Sequence, residues 1–450
     1  MNINTSRVIQ IVFSIVISAC AQISFGQYYY LAQELISPSV STNNYFGASV
    51  TVHNQFIAVG TFQDDVSDLH DGRINLFDTN TGNYLRSVFP PTRNLNGGYG
   101  WDVAIEDDLM LVGSYSASTV HGASGSGFLH NINTGNLITE FVTQIGDPED
   151  QIGWSVAMEA PLALLGAPGD DESGLNSGAV YAFATTLLFE ITKIKPNVPI
   201  ANERFGGSVA IKGDFLVIGA PGFGGPETGS VYVLDVKTGI QLRRIVAADL
   251  QGSDYFGYSV DINIESGTPI IAIGAPLHDS AGPSAGAVYL YNAATGGLIR
   301  KITSVNPQTG DWFGHTVAIE DETLVVGALR RDASSFNSGS FFIYDNILPG
   351  GNPDEIDEII PFSIPTDQQL GFRVDINNGN IVGSGIGAGS AEGYATILRK
   401  YCDADINNDG ELNFFDISAF IKFGIDFNGD GQFNFFDISG FLNLFNAGCP

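Results

Sequence analysis

Seven in-register copies of one short pattern limit what this chain can fold into. Each copy is an aromatic or apolar residue, a Gly, any residue, then Ser, Asp, Thr or Arg, then Val. The glycines are Gly47, Gly100, Gly153, Gly206, Gly257, Gly314 and Gly371, spaced by 53, 53, 53, 51, 57 and 57 residues. A second glycine ends an apolar run in every copy: Gly60, Gly113, Gly166, Gly219, Gly274, Gly327 and Gly383, lying 13, 13, 13, 13, 17, 13 and 12 residues after the first. A fixed period of this length, with strand-like runs between turns, is the signature of an all-β repeat architecture closed into a propeller.

Copy four shows what one repeat contains. Phe205–Ile211 alternates and predicts an inner strand, and Lys212-Gly213-Asp214 a turn. Phe215–Gly219 is almost continuously apolar, as a strand buried on both faces must be. A third strand follows at Gly229–Asp235, a glycine turn at Lys237-Thr238-Gly239, and an outer strand at Gln241–Val246. The landmark glycines are read as places where neighbouring backbones approach too closely for a side chain. Copy seven has a third strand at Gly393–Leu398 and then runs straight to Cys402, with no length for a fourth. Tyr29–Ile36, before copy one, occupies the place outer strands hold before the other copies. The expected fold is therefore all-β: a seven-bladed β-propeller whose N-terminal strand completes blade seven and hides its open edge.

Charge narrows the partners. The chain has 19 basic and 49 acidic residues, a net charge of −30, which argues against nucleic acid and anionic membrane and favours divalent cations. Residues 1–26 are expected to be a signal peptide: Arg7 precedes the apolar run Val8–Ile17 and the small residues Ser18-Ala19-Cys20-Ala21. Cleavage after Ala21 or Gly26, and lipoprotein processing with an acylated Cys20, are both compatible with it. The protein is then secreted or held at the cell surface, with no other segment apolar enough to cross a membrane. Residues 27–399 form the propeller and 400–450 a separate module. Cys402 and Cys449 remain as an even pair outside the cell, and a disulfide between them would close a 48-residue loop around that module, worth about 4 kcal/mol on the chain-entropy model.

Leu165-Gly166-Ala167-Pro168, Ile218-Gly219-Ala220-Pro221 and Ile273-Gly274-Ala275-Pro276, paired with the upstream aromatic–Gly motifs, resemble the FG-GAP repeat proteins, whose best-known members are the integrin α-subunit propellers. The resemblance spans about residues 29–398 and implies a ligand-presenting or protein-interaction propeller. The third strands also resemble, more weakly, the quinoprotein propeller repeat. Integrin-type blades often carry an Asp-rich calcium loop between the two halves of the motif. Here that stretch is short, except in copy five at Asp261–Gly267, the one candidate for such a site. The acidic loop Gly169-Asp170-Asp171-Glu172 is expected to be a solvated turn.

The tail carries the sharpest chemical pattern. Asp405, Asn407, Asp409, Asn413 and Asp416 stand at positions 1, 3, 5, 9 and 12 of a loop with Gly410 at position 6 and Glu411 at position 7. Twenty-one residues on, Asp426, Asn428, Asp430, Asn434 and Asp437 repeat it, with Gly431 and Gln432. Calcium takes six to eight hard oxygens, a twelve-residue loop supplies them with position 7 contributing its carbonyl, and the glycine permits the turn. Two calcium ions are expected, coupled to folding of the tail. Asp at position 12, the duplication and the following apolar helices (Ile417–Ile421, Ile438–Leu442) resemble a dockerin, a small α-helical EF-hand-like module. The resemblance implies a docking partner, cohesin-like or another surface protein, although Phe414-Phe415 and Phe435-Phe436 are more apolar than the hydroxyl pairs of cohesin-binding dockerins.

No nucleophile elbow, phosphate loop or repeated metal-ligand cluster is present. His53, His70, His121, His130, His278 and His315 fall at unrelated repeat positions, and Trp101, Trp154 and Trp312 are read as blade packing. The chain therefore reads as a non-catalytic extracellular binding or scaffold protein, with a protein or glycan ligand on the propeller. A dockerin-bearing polysaccharide-degrading enzyme and a lectin are the alternatives.

Overall fold

The computed structural model describes residues 29–38, 45–62, 72–91, 97–118, 122–143, 146–222, 228–347, 355–359, 367–387 and 393–400, together with Ile417, Ile421, Ile438, Phe441 and Leu442. The first strand is β1 (Tyr29–Leu35). Blade one is β2 (Phe46–His53), β3 (Phe56–Thr61), β4 (Arg73–Asp78) and β5 (Tyr84–Val88); blade two is β6 (Tyr99–Glu106), β7 (Leu109–Ser114), β8 (Ser126–Asn131) and β9 (Leu137–Phe141). Blade three is β10 (Ser155–Glu159), β11 (Leu162–Ala167), β12 (Ala179–Ala184) and β13 (Glu190–Ile194); blade four is β14 (Ser208–Lys212), β15 (Phe215–Ala220), β16 (Ser230–Asp235) and β17 (Gln241–Ile245). Blade five is β18 (Val260–Glu265), β19 (Thr268–Ala275), β20 (Ala287–Asn292) and β21 (Leu298–Ile302); blade six is β22 (Phe313–Glu320), β23 (Thr323–Ala328), β24 (Ser340–Tyr344) and β25 (Glu355–Ile359). Blade seven contributes β26 (Leu370–Asn377), β27 (Asn380–Gly385) and β28 (Tyr394–Lys400).

Six blades are four-stranded meanders in chain order, and the seventh has the order β1-β28-β27-β26. The N-terminal strand does complete the last blade. Thr396 Oγ1 donates to the Gln33 carbonyl at 2.8 Å. Leu35 is buried in one cluster with Phe46, Val50 and Ile57 of blade one and Val382 and Ile397 of blade seven. Arg399 donates to the Thr79 carbonyl of the blade-one turn at 3.0 Å, a second tie across the junction.

Alternation along the second strands builds the cores between blades. In β15, Leu216 and Ile218 join a cluster with Val180 and Ala182 of blade three, while Val217 joins one with Ile271 and Ile273 of blade five. One strand thus feeds two inter-blade cores, because successive side chains leave opposite faces of a sheet. Each such side chain contributes about 1.5–3 kcal/mol on burial.

The glycines settle how closely the blades meet. A Cβ on Gly60, Gly113, Gly166, Gly219, Gly274 or Gly327 would overlap the carbonyl oxygen of Gly100, Gly153, Gly206, Gly257, Gly314 or Gly371, respectively, in the next blade. The receiving glycines, with Gly47, have φ between 83° and 91°, a left-handed conformation that side chains disfavour. Blade seven departs from the expected pattern. Ser384, not Gly383, faces the inner strand at the landmark position, opposite Arg373. Gly383 is a glycine for another reason: a Cβ there would enter the ring of Phe341 in blade six.

The long stretch of copy five, the one candidate for a calcium loop between the motif halves, folds as the paired strands Val260–Glu265 and Thr268–Ala275 joined by a tight turn, so the extra residues lengthen a hairpin. Among the described residues no group of His, Cys, Asp and Glu is arranged to hold a metal. The acidic loop is not simply solvated. Asp170 is 1% exposed, pairs with Lys193 at 2.5 Å and accepts from the Tyr181 hydroxyl at 3.1 Å, while Glu172 takes Lys193 and Lys195 at 2.6 and 2.9 Å.

The chain divides into two compact units, Tyr30–Arg399 and Met1–Tyr29 with Lys400–Pro450. In the second unit, Ile417, Ile421, Ile438, Phe441 and Leu442 are helical. The signal peptide, the calcium ligands Asp405, Asn407, Asp409, Glu411, Asn413, Asp416, Asp426, Asn428, Asp430, Gln432, Asn434 and Asp437, and the Cys402–Cys449 pair lie outside the described residues. No helix of the described residues is long and apolar enough to cross a membrane.

Candidate functional site: the central channel

The inner strands of all seven blades surround a cavity of about 450 Å³, a size typical of small-molecule sites, roughly 300–1,000 Å³. Because the strands are in register, the lining is a stack of rings, each set by distance from the first landmark glycine. Three residues on, every blade has Val: Val50, Val103, Val156, Val209, Val260, Val317 and Val374, all buried.

One residue after the glycine stand Trp101, Trp154, Gly207, Tyr258, His315 and Phe372, which open this end of the cavity, and the fully buried Ala48. The aromatics form two arcs. Trp101 and Trp154 lie 4.8 Å apart between ring centroids, with Tyr115 at 5.0 and 5.4 Å. His315 packs between Tyr258 at 4.9 Å and Phe372 at 5.4 Å, and its Nε2 is 3.1 Å from the Tyr258 hydroxyl. Burial pushes His315 down to about 3, so it is a neutral ring. Trp101 and Trp154 are thus half-buried channel residues rather than mere blade packing. Trp312 is outside the lining, with Arg330 3.9 Å above its ring.

Two residues after the glycine, Ser49, Ser155, Ser208 and Ser259 donate to the next blade's Gly100, Gly206, Gly257 and Gly314 carbonyls at 2.8–3.0 Å. Blade seven has Arg373 there. The bond across to Gly47 comes instead from Ser384 Oγ, at 2.7 Å. Arg373 is released into the channel, where Nη1 donates to the Phe372 carbonyl at 3.1 Å and the guanidinium lies 4.6 Å from the Phe372 ring centroid.

Three carboxylates stitch blades together from inside. The Val156 N–H donates to Asp102 Oδ2 at 2.7 Å, Ile319 N–H to Asp261 Oδ2 at 2.7 Å, and Val52 N–H and Thr51 Oγ1 to Asp375 Oδ2 at 2.8 and 2.7 Å. Burial raises Asp102 to about 6, Asp261 to about 7 and Asp375 to about 6. These values exceed the ordinary carboxylate value, so between the two the folded chain holds more protons than the unfolded one. The contribution to stability is fully present below the ordinary value and is lost as pH rises through about 6 to 7. His130 and His315, held by burial at about 4 and about 3, titrate with the opposite sign. The difference between Asp375→Asn and wild type therefore isolates the carboxylate. Its Tm relative to wild type is expected to rise from about pH 5 to about pH 8; a flat difference in thermal melts would show that Asp375 is not shifted.

At the other end, six residues after the glycine, acceptors bond the turn of the next blade. The Asp107 N–H donates to His53 Nε2 at 3.3 Å, Gly213 N–H to Glu159 Oε2 at 2.8 Å, and Asn378 N–H to Glu320 Oε1 at 2.9 Å. His53 and His315 are channel residues at two levels. His130 is a buried partner of the Tyr99 hydroxyl at 2.9 Å, and His278 sits in an ion-pair cluster with Asp249 and Asp254, each at 3.7 Å. His70 and His121 lie outside the described residues.

One column of the repeat escapes a motif-based reading. Three residues before the first landmark glycine, blades three to six carry Asp150, Glu203, Asp254 and Asp311, each buried. In the same blades a cation lies over the aromatic ring of the third strand: Lys193 on Tyr181, Arg244 on Tyr232, Lys301 on Tyr289 and Arg331 on Phe342, at 5.2–5.8 Å. Arg244 pairs with Glu203, and Arg331 with Asp311, both at 2.9 Å. Aligning the copies on their glycines exposes this acid column directly.

Residues 145–183, 189–234, 240–291 and 297–344 match the FG-GAP repeat family. The chain carries four FG-GAP repeats. They contain the four buried acids, so the match falls on the blades that share this acid, cation and ring. Three of the four matches begin with the outer strand of one blade and continue through three strands of the next. The FG-GAP unit in sequence is thus offset by one strand from the blade. An array built this way leaves its first outer strand to pair with its last blade, as β1 does. An FG-GAP propeller points to an interaction domain.

Proposed function

We propose that this is a secreted or cell-surface, non-catalytic binding or scaffold protein. Its FG-GAP propeller takes a protein or other ligand, and its tail is a dockerin-like module that binds two calcium ions and attaches the protein to a partner. The observation that carries the reading is the use of the channel acids. Asp102, Asp261 and Asp375 each accept a backbone N–H from the following blade, so the carboxylates that would have to be mobile for acid–base work act as joints. Supporting the tail assignment are the doubled twelve-residue pattern and a net charge of −30, which suits cation binding.

Asp405→Ala combined with Asp426→Ala is expected to abolish calcium-dependent folding of the tail while leaving the propeller's melting transition in place. Calorimetry of the full chain with calcium and with chelator checks this. Loss of both transitions would contradict two independently folding modules, and an unchanged calcium response would contradict the ligand assignment.

A further inference from the structure

We infer that the aromatic end of the channel is a receptor site for a neutral pyranose of a glycan. The inference rests on the binding-protein reading above and specifies the ligand class. A pyranose ring is amphipathic: its C–H face packs against aromatic rings, and its hydroxyls both donate and accept hydrogen bonds. The channel end offers both kinds of partner. Trp101 and Trp154 form an aromatic wall on blades two and three, and Tyr258 and Phe372 stand on blades five and seven.

Arg373 decides the polar side. Its repeat position elsewhere holds residues that join blades, and here Ser384 has taken over that duty. Among the described residues no carboxylate lies within 4.0 Å of the guanidinium, yet its charge acts on Asp102 of blade two, Tyr258 of blade five and His315 of blade six. It lines the cavity as a donor without an acidic partner among these residues, and Asp102 of blade two is an acceptor in the same lining. A fixed donor, a fixed acceptor and flat apolar faces around about 450 Å³ suit a sugar ring better than a purely apolar ligand. The net charge of −30 opposes approach of a polyuronate and selects a neutral glycan.

The test titrates the full chain with cello-, xylo-, manno- and laminari-hexaose and with a galacturonate hexamer, following tryptophan fluorescence and calorimetric heat. Saturable binding of at least one neutral hexaose is expected, weakened tenfold or more by Arg373→Gln and by Trp154→Leu. Trp312→Phe, outside the cavity, is expected to bind as wild type, and thermal melts establish that each variant folds. No binding of any neutral hexaose at millimolar concentration, binding unaffected by both channel substitutions, or binding of the galacturonate alone would each overturn the inference while leaving a protein-binding propeller intact. Release of reducing ends that disappears in Arg373→Gln would support the site and overturn the non-catalytic reading instead.

Discussion

Gly219→Ala is expected to destabilise the propeller by about 3 kcal/mol, whereas Gly239→Ala should cost only about 1 kcal/mol. Both substitutions add one methyl group, and the surroundings make the difference. Gly219 faces the Gly257 carbonyl of the next blade, and a Cβ would occupy the oxygen's own space. That oxygen belongs to a glycine with φ of 88°, pinned by the Ser208 hydroxyl at 3.0 Å, so it has little freedom to retreat. Gly239 also has a positive φ, 67°, but its Cβ would stand in open space with no atom within 4 Å, leaving backbone strain alone. Denaturant unfolding of the two variants measures the contrast. Equal small losses would mean that the blades do not meet at these glycines.

Starting the chain at Ser37, and so removing β1, is expected to lower the Tm by well over ten degrees or to leave the protein aggregated. Three losses coincide. The outer edge of β28 is left unpaired, an invitation to association with other chains. Leu35, 2% exposed, leaves the cluster that bridges blades one and seven, a loss of about 2–5 kcal/mol by analogy with large core truncations. The Gln33 carbonyl no longer receives Thr396 Oγ1. Removing the outer strand of an internal blade would cut one sheet, but removing β1 also weakens the junction of the first and last blades, leaving it to the bonds of Ser384, Asp375 and Arg399. Size-exclusion chromatography with thermal melts distinguishes a surviving monomer from an aggregated one, and an unchanged Tm would show that β1 is an ornament.

Much of the fold is legible in the sequence because it rests on local patterning. Strand alternation, turn glycines and a fixed period are properties of neighbouring residues, and the missing outer strand of copy seven follows from counting. What escapes depends on partners brought together only by the fold. Asp170 reads as solvated until Lys193 and Tyr181 are seen to cover it. Asp375 looks like an ordinary strand polar residue, and Asp261 like the start of a candidate calcium loop, until the next blade's N–H groups arrive. The exchange between Arg373 and Ser384 is the clearest case: spacing alone selects Gly383, whereas the register places Ser384 opposite Arg373 and gives it the inter-blade bond. The hint is the Arg itself, a long cation in a column otherwise filled by Ser, Thr and Asp.

Peptide-resolved hydrogen exchange on the full chain and on the chain starting at Ser37 tests ring closure most directly. Closure by β1 predicts that protection in the shortened chain is lost first at Leu370–Asn377, Asn380–Gly385 and Tyr394–Lys400 and at the adjoining Phe46–His53, while blades three and four stay slow. Unchanged protection across blade seven, or a loss spread evenly over all seven blades, would contradict it.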